Sequence, residues 1–225
     1  MIDTHLDNKN TISISDRLQK CFSSVVHDVM RDDGFKNFVL DPSIKPLKEE
    51  HKIGGQIFTI KGSSNKSYTH DETLLAWTGM LSKAPADKVM ICQPNDNIVA
   101  LMGELSAEYL LKKNIRGYIA DGGCRDVEFI NNINFPVWSK FNTPKDVVGY
   151  WKPDELETTI KIGDVTINNN DYVLADIDGV VIIPQDHVMN ILEKTENLIS
   201  TESKVRKAIR EGMDPQEAYI KFSAF

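Results

Sequence analysis

The chain is 225 residues long, and its 33 Asp and Glu outnumber 26 Lys and Arg to leave a formal net charge of −7. That balance, without a Lys/Arg-rich run, excludes the basic face that direct nucleic-acid binding needs. No apolar stretch approaches the roughly 20 residues of a membrane span, and the polar start with Asp3, Asp7 and Lys9 lacks a secretion signal's apolar core, so a cytoplasmic protein without a membrane partner is expected.

The length suits one α/β domain over residues 1–225, with residues 1–12 polar and expected to be loose. A helix is predicted from Ile14 to Met30, with Leu18, Cys21, Val25 and Val29 on one face and Asp32-Asp33-Gly34 as its stop. From Gly54 the alternation through Gln56–Ile60 reads as a strand, followed by a turn at Gly62–Asn65. Asp71–Lys83 has a helical pattern that groups Leu74, Leu75, Thr78 and Leu81. Val89–Cys92 and Ile98–Met102 read as short strands, the second running into Gly103. A helix over 104–113, with Leu105, Tyr109 and Leu110 at helical spacing, is followed by a strand over 115–120, a glycine loop and a helix from about Val127. Phe135–Ser139 and Lys140–Thr143 read as strand and edge, and a strand-rich block punctuated by Gly163, Asn168–Asn170 and Gly179 covers Thr158–Ile183. The last helix is predicted over 186–212, from Asp186 as N-cap to Gly212 as stop. Its stripe of Val188, Ile191, Leu192, Leu198, Ile199, Val205 and Ile209 is interrupted by Glu202. Periodicity alone specifies a mixed α/β chain.

The segment Gly117–Asp126 is the richest in chemistry. An apolar run ends in a glycine turn where Asp121, Arg125 and Asp126 converge. Gly122 and Gly123 allow a ligand close to the main chain. Arg125 offers a fork of donors suited to a carboxylate, and Asp126 a hard oxygen ligand for Mg²⁺ or Mn²⁺. The same residues also suit a plain strand-to-helix turn with an ion pair in it. Upstream, Gly103-Glu104-Leu105-Ser106 opens a helix whose first amides are free donors for an anion. A carboxylate at Glu104 would repel that anion unless a divalent cation lies between them.

Cys21, Cys92 and Cys124 are odd in number and far apart, which points to a reduced compartment, and Cys124 reads as a small packing residue. His5, His27, His51, His70 and His187 form no close pair, so any metal here is expected to be oxygen-bound.

The pattern G-[DE]-L-x(15)-D-G-x-x-R-D over Gly103–Asp126 resembles the signature of the family containing the class II 4-hydroxy-4-methyl-2-oxoglutarate (HMG/CHA) aldolases and the regulator of ribonuclease activity A. Ser24–Asp28 resembles that family's N-terminal helix, Gly54–Thr59 its first barrel strand and Asp176–Pro184 its last strand, so about residues 20 to 212 are covered in order. The resemblance implies a fold of swivelling β/β/α layers in a single domain with a C-terminal helix at a subunit interface. It implies a divalent-metal-dependent lyase that releases pyruvate from a 2-oxo acid of the 4-hydroxy-4-methyl-2-oxoglutarate type, with oxaloacetate decarboxylation as a related activity. Asp126 would ligate Mg²⁺ or Mn²⁺ directly, Arg125 would hold the oxygen that becomes enolate, and the amides of Gly103, Glu104, Leu105 and Ser106 would receive a substrate carboxylate. Glu104 would hold metal-bound water and shuttle a proton through it, and Glu202 would reach a neighbouring subunit's metal through water. Asp121 is expected to fix the loop by accepting backbone amides. The loop Asn142–Trp151 is a candidate lining for the pocket beyond the pyruvyl unit. The family implies a homotrimer or a hexamer. A non-catalytic regulator that binds a ribonuclease or another protein is the alternative within the same family.

Overall fold

A computed structural model describes residues 12–223; residues 1–11, nearly all of the segment expected to be loose, lie outside the described residues. The chain opens with α1 (Ile14–Leu18) and α2 (Ser23–Asp32), then β1 (Lys45–Pro46), β2 (Ile53–Ser64), α3 (His70–Lys83), β3 (Lys88–Gln93), α4 (Glu104–Lys112) and β4 (Gly117–Ala120). It continues through β5 (Gly123–Cys124), α5 (Val127–Asn132), β6 (Val137–Ser139), β7 (Phe141–Asn142), β8 (Trp151–Leu156), β9 (Ile160–Ile162), β10 (Val165–Ile167), β11 (Tyr172–Ala175) and β12 (Val180–Ile183). A 3₁₀ turn at Gln185–His187 leads into α6 (Val188–Arg210) and α7 (Pro215–Phe222).

The main sheet runs β1-β6-β4-β3-β2-β11-β12, with β8 paired to the far half of β2. Strands β2, β3, β4 and β6 are mutually parallel, and β11, β12 and β8 join antiparallel. A register shift between Lys61 and Gly62 bends β2, so that its first half pairs β11 and its second half pairs β8, curling the sheet. Gly62 is required there, since a Cβ would lie 2.1 Å from the Trp151 ring. The predicted turn at Gly62–Asn65 is thus mostly strand, because the bulge lets the chain bend without leaving the ladder.

Alternation along β3 sets the layers. Val89 and Ile91 face the β9–β10 hairpin, packing with Ile160, Ile162, Val165 and Ile167. Met90 and Cys92 face the opposite side, toward Trp77 and Met80 of α3 and Leu110 of α4. Both faces of a central parallel strand are buried, as such strands require. The result is the expected order of hairpin, sheet and helices, with a third cluster where Leu18, Val26 and Met30 meet Val181, Ile191 and Leu192.

The sequence expectations need correction at several points. The helix predicted over 14–30 is broken, with Phe22 extended at φ −117° and ψ 140°. The buried Asp176 carboxylate accepts the Ser23 amide at 2.8 Å and the Ser23 hydroxyl at 2.6 Å. Hydrogen bonds to a charged group contribute about 1.5–3 kcal/mol each, against about 1 for an ordinary helix bond, so this distant cap outweighs an unbroken helix. On α3 the buried face is Thr73, Trp77, Met80 and Leu81, while Leu75 is 72% exposed and Thr78 faces out. The helix turns to pack Trp77 edge-on against Trp151, ring centroids 6.0 Å apart. Ile98–Met102 is irregular apart from one bridge from Ala100 to Gly123. Asp186 sits inside the 3₁₀ turn and is not the cap of α6, and α7 follows the predicted stop at Gly212. No described helix is long and apolar enough to cross a membrane.

Candidate active site

The parallel strands β3 and β4 deliver two loops to one edge of the sheet, and the site forms where these loops meet the starts of α4 and α5. Asp126 caps α5 in the left-handed region, φ 55° and ψ 35°. This uncommon backbone places its carboxylate at the start of α4, where Oδ2 accepts the Glu104 amide at 3.0 Å. Gly103, the N-cap of α4, has no side chain to do this itself. A Cβ there would stand 2.8 Å from Asp126 Oδ2 and 3.1 Å from Arg125 Nε, so any larger residue would displace these two side chains. The spacing between the G-E-L and R-D parts of the motif therefore has a physical basis: Asp126 caps a helix that begins 22 residues earlier in the chain.

Arg125 is held by its own amide, which donates to Met102 O at 3.0 Å. Its guanidinium lies between two carboxylates, with Nε 3.4 Å from Asp126 Oδ2 and Nη1 3.3 Å from Asp146 Oδ2. Asp146 is a site residue that the sequence reading did not single out. The loop from 142 to 151 was expected to line the pocket, and Asp146, Val147 and Val148 do so. The clue available in the sequence was an acidic residue directly after Pro144-Lys145. Ser106 is likewise fixed, its Oγ accepting Trp77 Nε1–H at 2.9 Å, which leaves the hydroxyl proton available to a ligand.

Gly103, Glu104, Leu105, Ser106, Arg125 and Asp126 all line one cleft of about 680 Å³. The Glu104 amide is already engaged by Asp126, so the first-turn amides of Leu105 and Ser106 are the donors open to an anion. Glu202 is not brought to this cleft within the chain; it lines a separate groove with Val205, Arg206 and Ile209 on α6. Asp121 does not accept backbone amides as expected; its carboxylate pairs with Lys140, which ties β4 to the segment before β7. Cys124 is fully buried beside Met102 O, and burial pushes its thiol up to about 12, the environment of a packing residue.

Oxygen donors for a divalent cation are present. Asp126 keeps Oδ1 outside the contacts described, and Glu104 and Asp146 line the same cleft. Among the described residues no group of three or more His, Cys, Asp or Glu side chains is placed to hold a metal ion by itself, so waters or substrate oxygens would have to complete the shell. That donor set fits Mg²⁺ or Mn²⁺, hard ions that bind through one or two carboxylates and keep several waters or substrate oxygens.

A model of the RraA-like family, Aldolase/RraA, matches residues 23–182. Protein DlpA from Legionella pneumophila is 30% identical over 209 residues, covering 90% of this chain but 32% of DlpA, so the chain spans about a third of that relative. A protein of Halalkalibacterium halodurans, provisionally named a 4-hydroxy-4-methyl-2-oxoglutarate aldolase, is 26% identical over 192 residues, 84% of this chain and 85% of that one. RraAS2 of Streptomyces coelicolor, described as an unusual member of the RNase ES inhibitor RraA protein family, superposes with a TM-score of 0.78 at 19% identity, over 88% of this chain and 99% of that one. At that identity the likeness establishes the fold.

Proposed function

Since the chain belongs to the RraA-like Aldolase/RraA family, we propose that it is a divalent-metal-dependent lyase that cleaves a 4-hydroxy-2-oxo acid to release pyruvate, in the manner of a 4-hydroxy-4-methyl-2-oxoglutarate aldolase. The supporting observation is the lock at the start of α4, where Gly103 admits the Asp126 carboxylate and Arg125 is held in the same cleft as Glu104. A Mg²⁺ or Mn²⁺ ion held by Asp126, with Glu104 as a ligand through water, would supply Lewis-acid stabilisation of the substrate's keto oxygen. The amides of Leu105 and Ser106 receive the carboxylate of the 2-oxo acid. Arg125 donates to the keto oxygen as negative charge grows on it. The proton of the 4-hydroxyl passes to Glu104 through water as the C3–C4 bond breaks. The electron pair of that bond moves to C3, the carbonyl fragment leaves, and Glu104 returns the proton to C3 to give pyruvate. Loss of carbon dioxide from oxaloacetate leaves the same three-carbon fragment, so decarboxylation belongs to the same reading.

Assembly as a homotrimer or hexamer, with α6 laid across a neighbouring copy so that Glu202 meets its metal-bound water, is part of the proposal. Its support within the chain is that Glu202 interrupts an apolar stripe and lines a groove other than its own chain's cleft.

The test is pyruvate release from 4-hydroxy-2-oxo acids with and without a second carboxylate, and from oxaloacetate, with Mg²⁺, Mn²⁺ or EDTA. Chelator-sensitive turnover that falls about 10²–10³-fold in Arg125→Ala is expected, the usual effect of losing one donor to a developing oxyanion. Folded protein that releases no pyruvate above the metal-only background from any of these acids would sink the lyase reading and favour a protein-binding regulator.

A further inference from the structure

The indole N–H groups of the three tryptophans are all bonded, and one of the bonds differs from the other two. Trp138 Nε1 donates to Asp176 O at 3.2 Å, and Trp151 Nε1 to Pro94 O at 2.8 Å. Trp77 Nε1 donates to the Ser106 hydroxyl at 2.9 Å. A carbonyl only accepts, so the first two bonds end there, whereas a hydroxyl that accepts still has a proton to give. We propose that the Ser106 hydroxyl is a further substrate-binding group, donating to the carboxylate of the 2-oxo acid beside the amides of Leu105 and Ser106, and that Trp77 is the positioning residue that aims it. The identity of the ligand rests on the lyase reading; the aim of the hydroxyl rests on the Trp77 contact.

Elsewhere in the helices of this chain, hydroxyl protons are spent on the preceding turn. Thr73, Thr78, Thr195, Thr201 and Ser203 each donate to a carbonyl three or four residues back. Ser106 is the third residue of α4, so the carbonyl four residues back is Met102 O, outside the helix. That oxygen already accepts the Arg125 amide at 3.0 Å and the Cys124 thiol at 3.6 Å, and Gly103 O, three residues back, accepts the Ala107 amide at 3.0 Å. Among the described residues Ser106 Oγ donates to neither. Because the oxygen accepts from Nε1, its proton is directed away from Trp77, and the accepted bond polarises the O–H into a stronger donor.

The hydroxyl is held as well as aimed. Trp77 is buried and lies edge-on against the fully buried Trp151, with 71° between the ring planes. The bond joins α3 to α4 within one chain, so it is made before any neighbouring copy is added. Trp77, Leu105, Ser106 and Arg125 line the same cleft. Ser106 presents an amide and a hydroxyl from one residue of the first turn, a pair suited to a carboxylate, and donors fixed in this way need no rearrangement when the charge arrives. The hydroxyl is not placed as a nucleophile. Its bonded neighbour is a donor, so no base takes its proton, and Glu104, two residues away on the same helix, does not share its face.

The experiment is calorimetric titration of the full-length protein with oxalate in the presence of Mg²⁺. Oxalate is planar, carries a carboxylate beside a charged oxygen as the enolate of pyruvate does, and cannot be cleaved by the aldol reaction. Ser106→Ala removes the hydroxyl, keeps the amide and suits a helix. It is expected to weaken oxalate at least about tenfold, the effect of losing one hydrogen bond to a charged group. Trp77→Phe keeps an aromatic ring and removes the N–H, so it should weaken oxalate by about threefold in the wild-type background and change nothing further in Ser106→Ala. A purely structural role for Trp77 would weaken binding alike in both backgrounds. Equal affinity of Ser106→Ala and the wild type, additive losses in the double variant, or no binding of oxalate by the wild type would each overturn the inference. Pyruvate release from a 4-hydroxy acid together with unchanged oxalate affinity in Ser106→Ala would remove the inference and leave the lyase reading. Coupled losses for oxalate without pyruvate release from any 4-hydroxy acid would do the reverse.

Discussion

Two carboxylates in this molecule cap helices to which they are not joined in sequence, and they are used to opposite ends. Asp176, 7% exposed, accepts the Ser23 amide and hydroxyl at the start of α2, and the Asp178 amide at 3.1 Å. Asp126 accepts the Glu104 amide at the start of α4 with Oδ2, but its side chain is 37% exposed and faces the cleft. The first carboxylate is buried, accepts three hydrogen bonds from its own chain and lines no part of the cleft, so it serves the fold. The second is anchored through one oxygen, which fixes the orientation of the other. A site needs the second arrangement, because a ligand atom positioned by the backbone costs no rearrangement when a cation or substrate arrives.

The contrast can be broken most sharply at Asp126. In Asp126→Asn the amide oxygen can still accept from Glu104, and Asn and Asp cap helices about equally well, so thermal stability should change little. Pyruvate release should fall at least about a hundredfold, since loss of even an indirect metal partner costs about 10–100-fold. Equal loss of stability and activity would show that Asp126, like Asp176, only holds the fold.

The next effect is the mirror image. Asp176→Ala removes the partner of a buried amide and hydroxyl and should destabilise the protein by about 2–4 kcal/mol, the range for leaving such groups unsatisfied. At about 2–4 °C per kcal/mol for a chain of this size, the melting temperature should fall by at least several degrees. Activity per folded molecule should be unchanged, measured well below that melting temperature. A selective loss of activity would mean that the two caps are coupled through the sheet.

These caps also explain what could be read from the chain and what could not. The central motif was legible because its residues are concentrated in two short runs, Gly103–Ser106 and Asp121–Asp126, and the layers followed from the alternation in strands such as β3. The break between α1 and α2 was not legible, because its cause, Asp176, lies 153 residues away and local periodicity runs straight through. Asp146 was missed for the same reason: only the fold brings a loop before β8 back to Arg125. The face of α3 was misjudged because leucines usually mark a core, and here the larger Trp77 took the buried position while Leu74 and Leu105 were left on the cleft. Departures from the expected apolar pattern thus gathered where the ligand cleft lies.

A third cap completes the series and should give the smallest effect. At the start of α3 the Thr69 hydroxyl accepts the Glu72 amide at 3.2 Å, and the Glu72 carboxylate accepts the Thr69 amide at 2.7 Å, a reciprocal box made entirely by neighbours in the chain. Hydrogen bonds from the Thr69 amide and hydroxyl hold the Glu72 carboxyl below the ordinary carboxylate value. A carboxyl lowered by folding contributes stability that is complete above its unfolded value and is lost as pH falls through the folded one. Glu72→Gln should therefore lower the melting temperature at neutral pH by less than Asp176→Ala does, and the difference from wild type should vanish in acid. The group is solvent-exposed, so added salt should shrink the neutral-pH difference further. Melting curves of the two proteins from neutral pH to below the carboxylate range, at low and high salt, measure this. A gap that persisted in acid would show that the Glu72 charge is not its source, and that the local box holds α3 by its geometry alone.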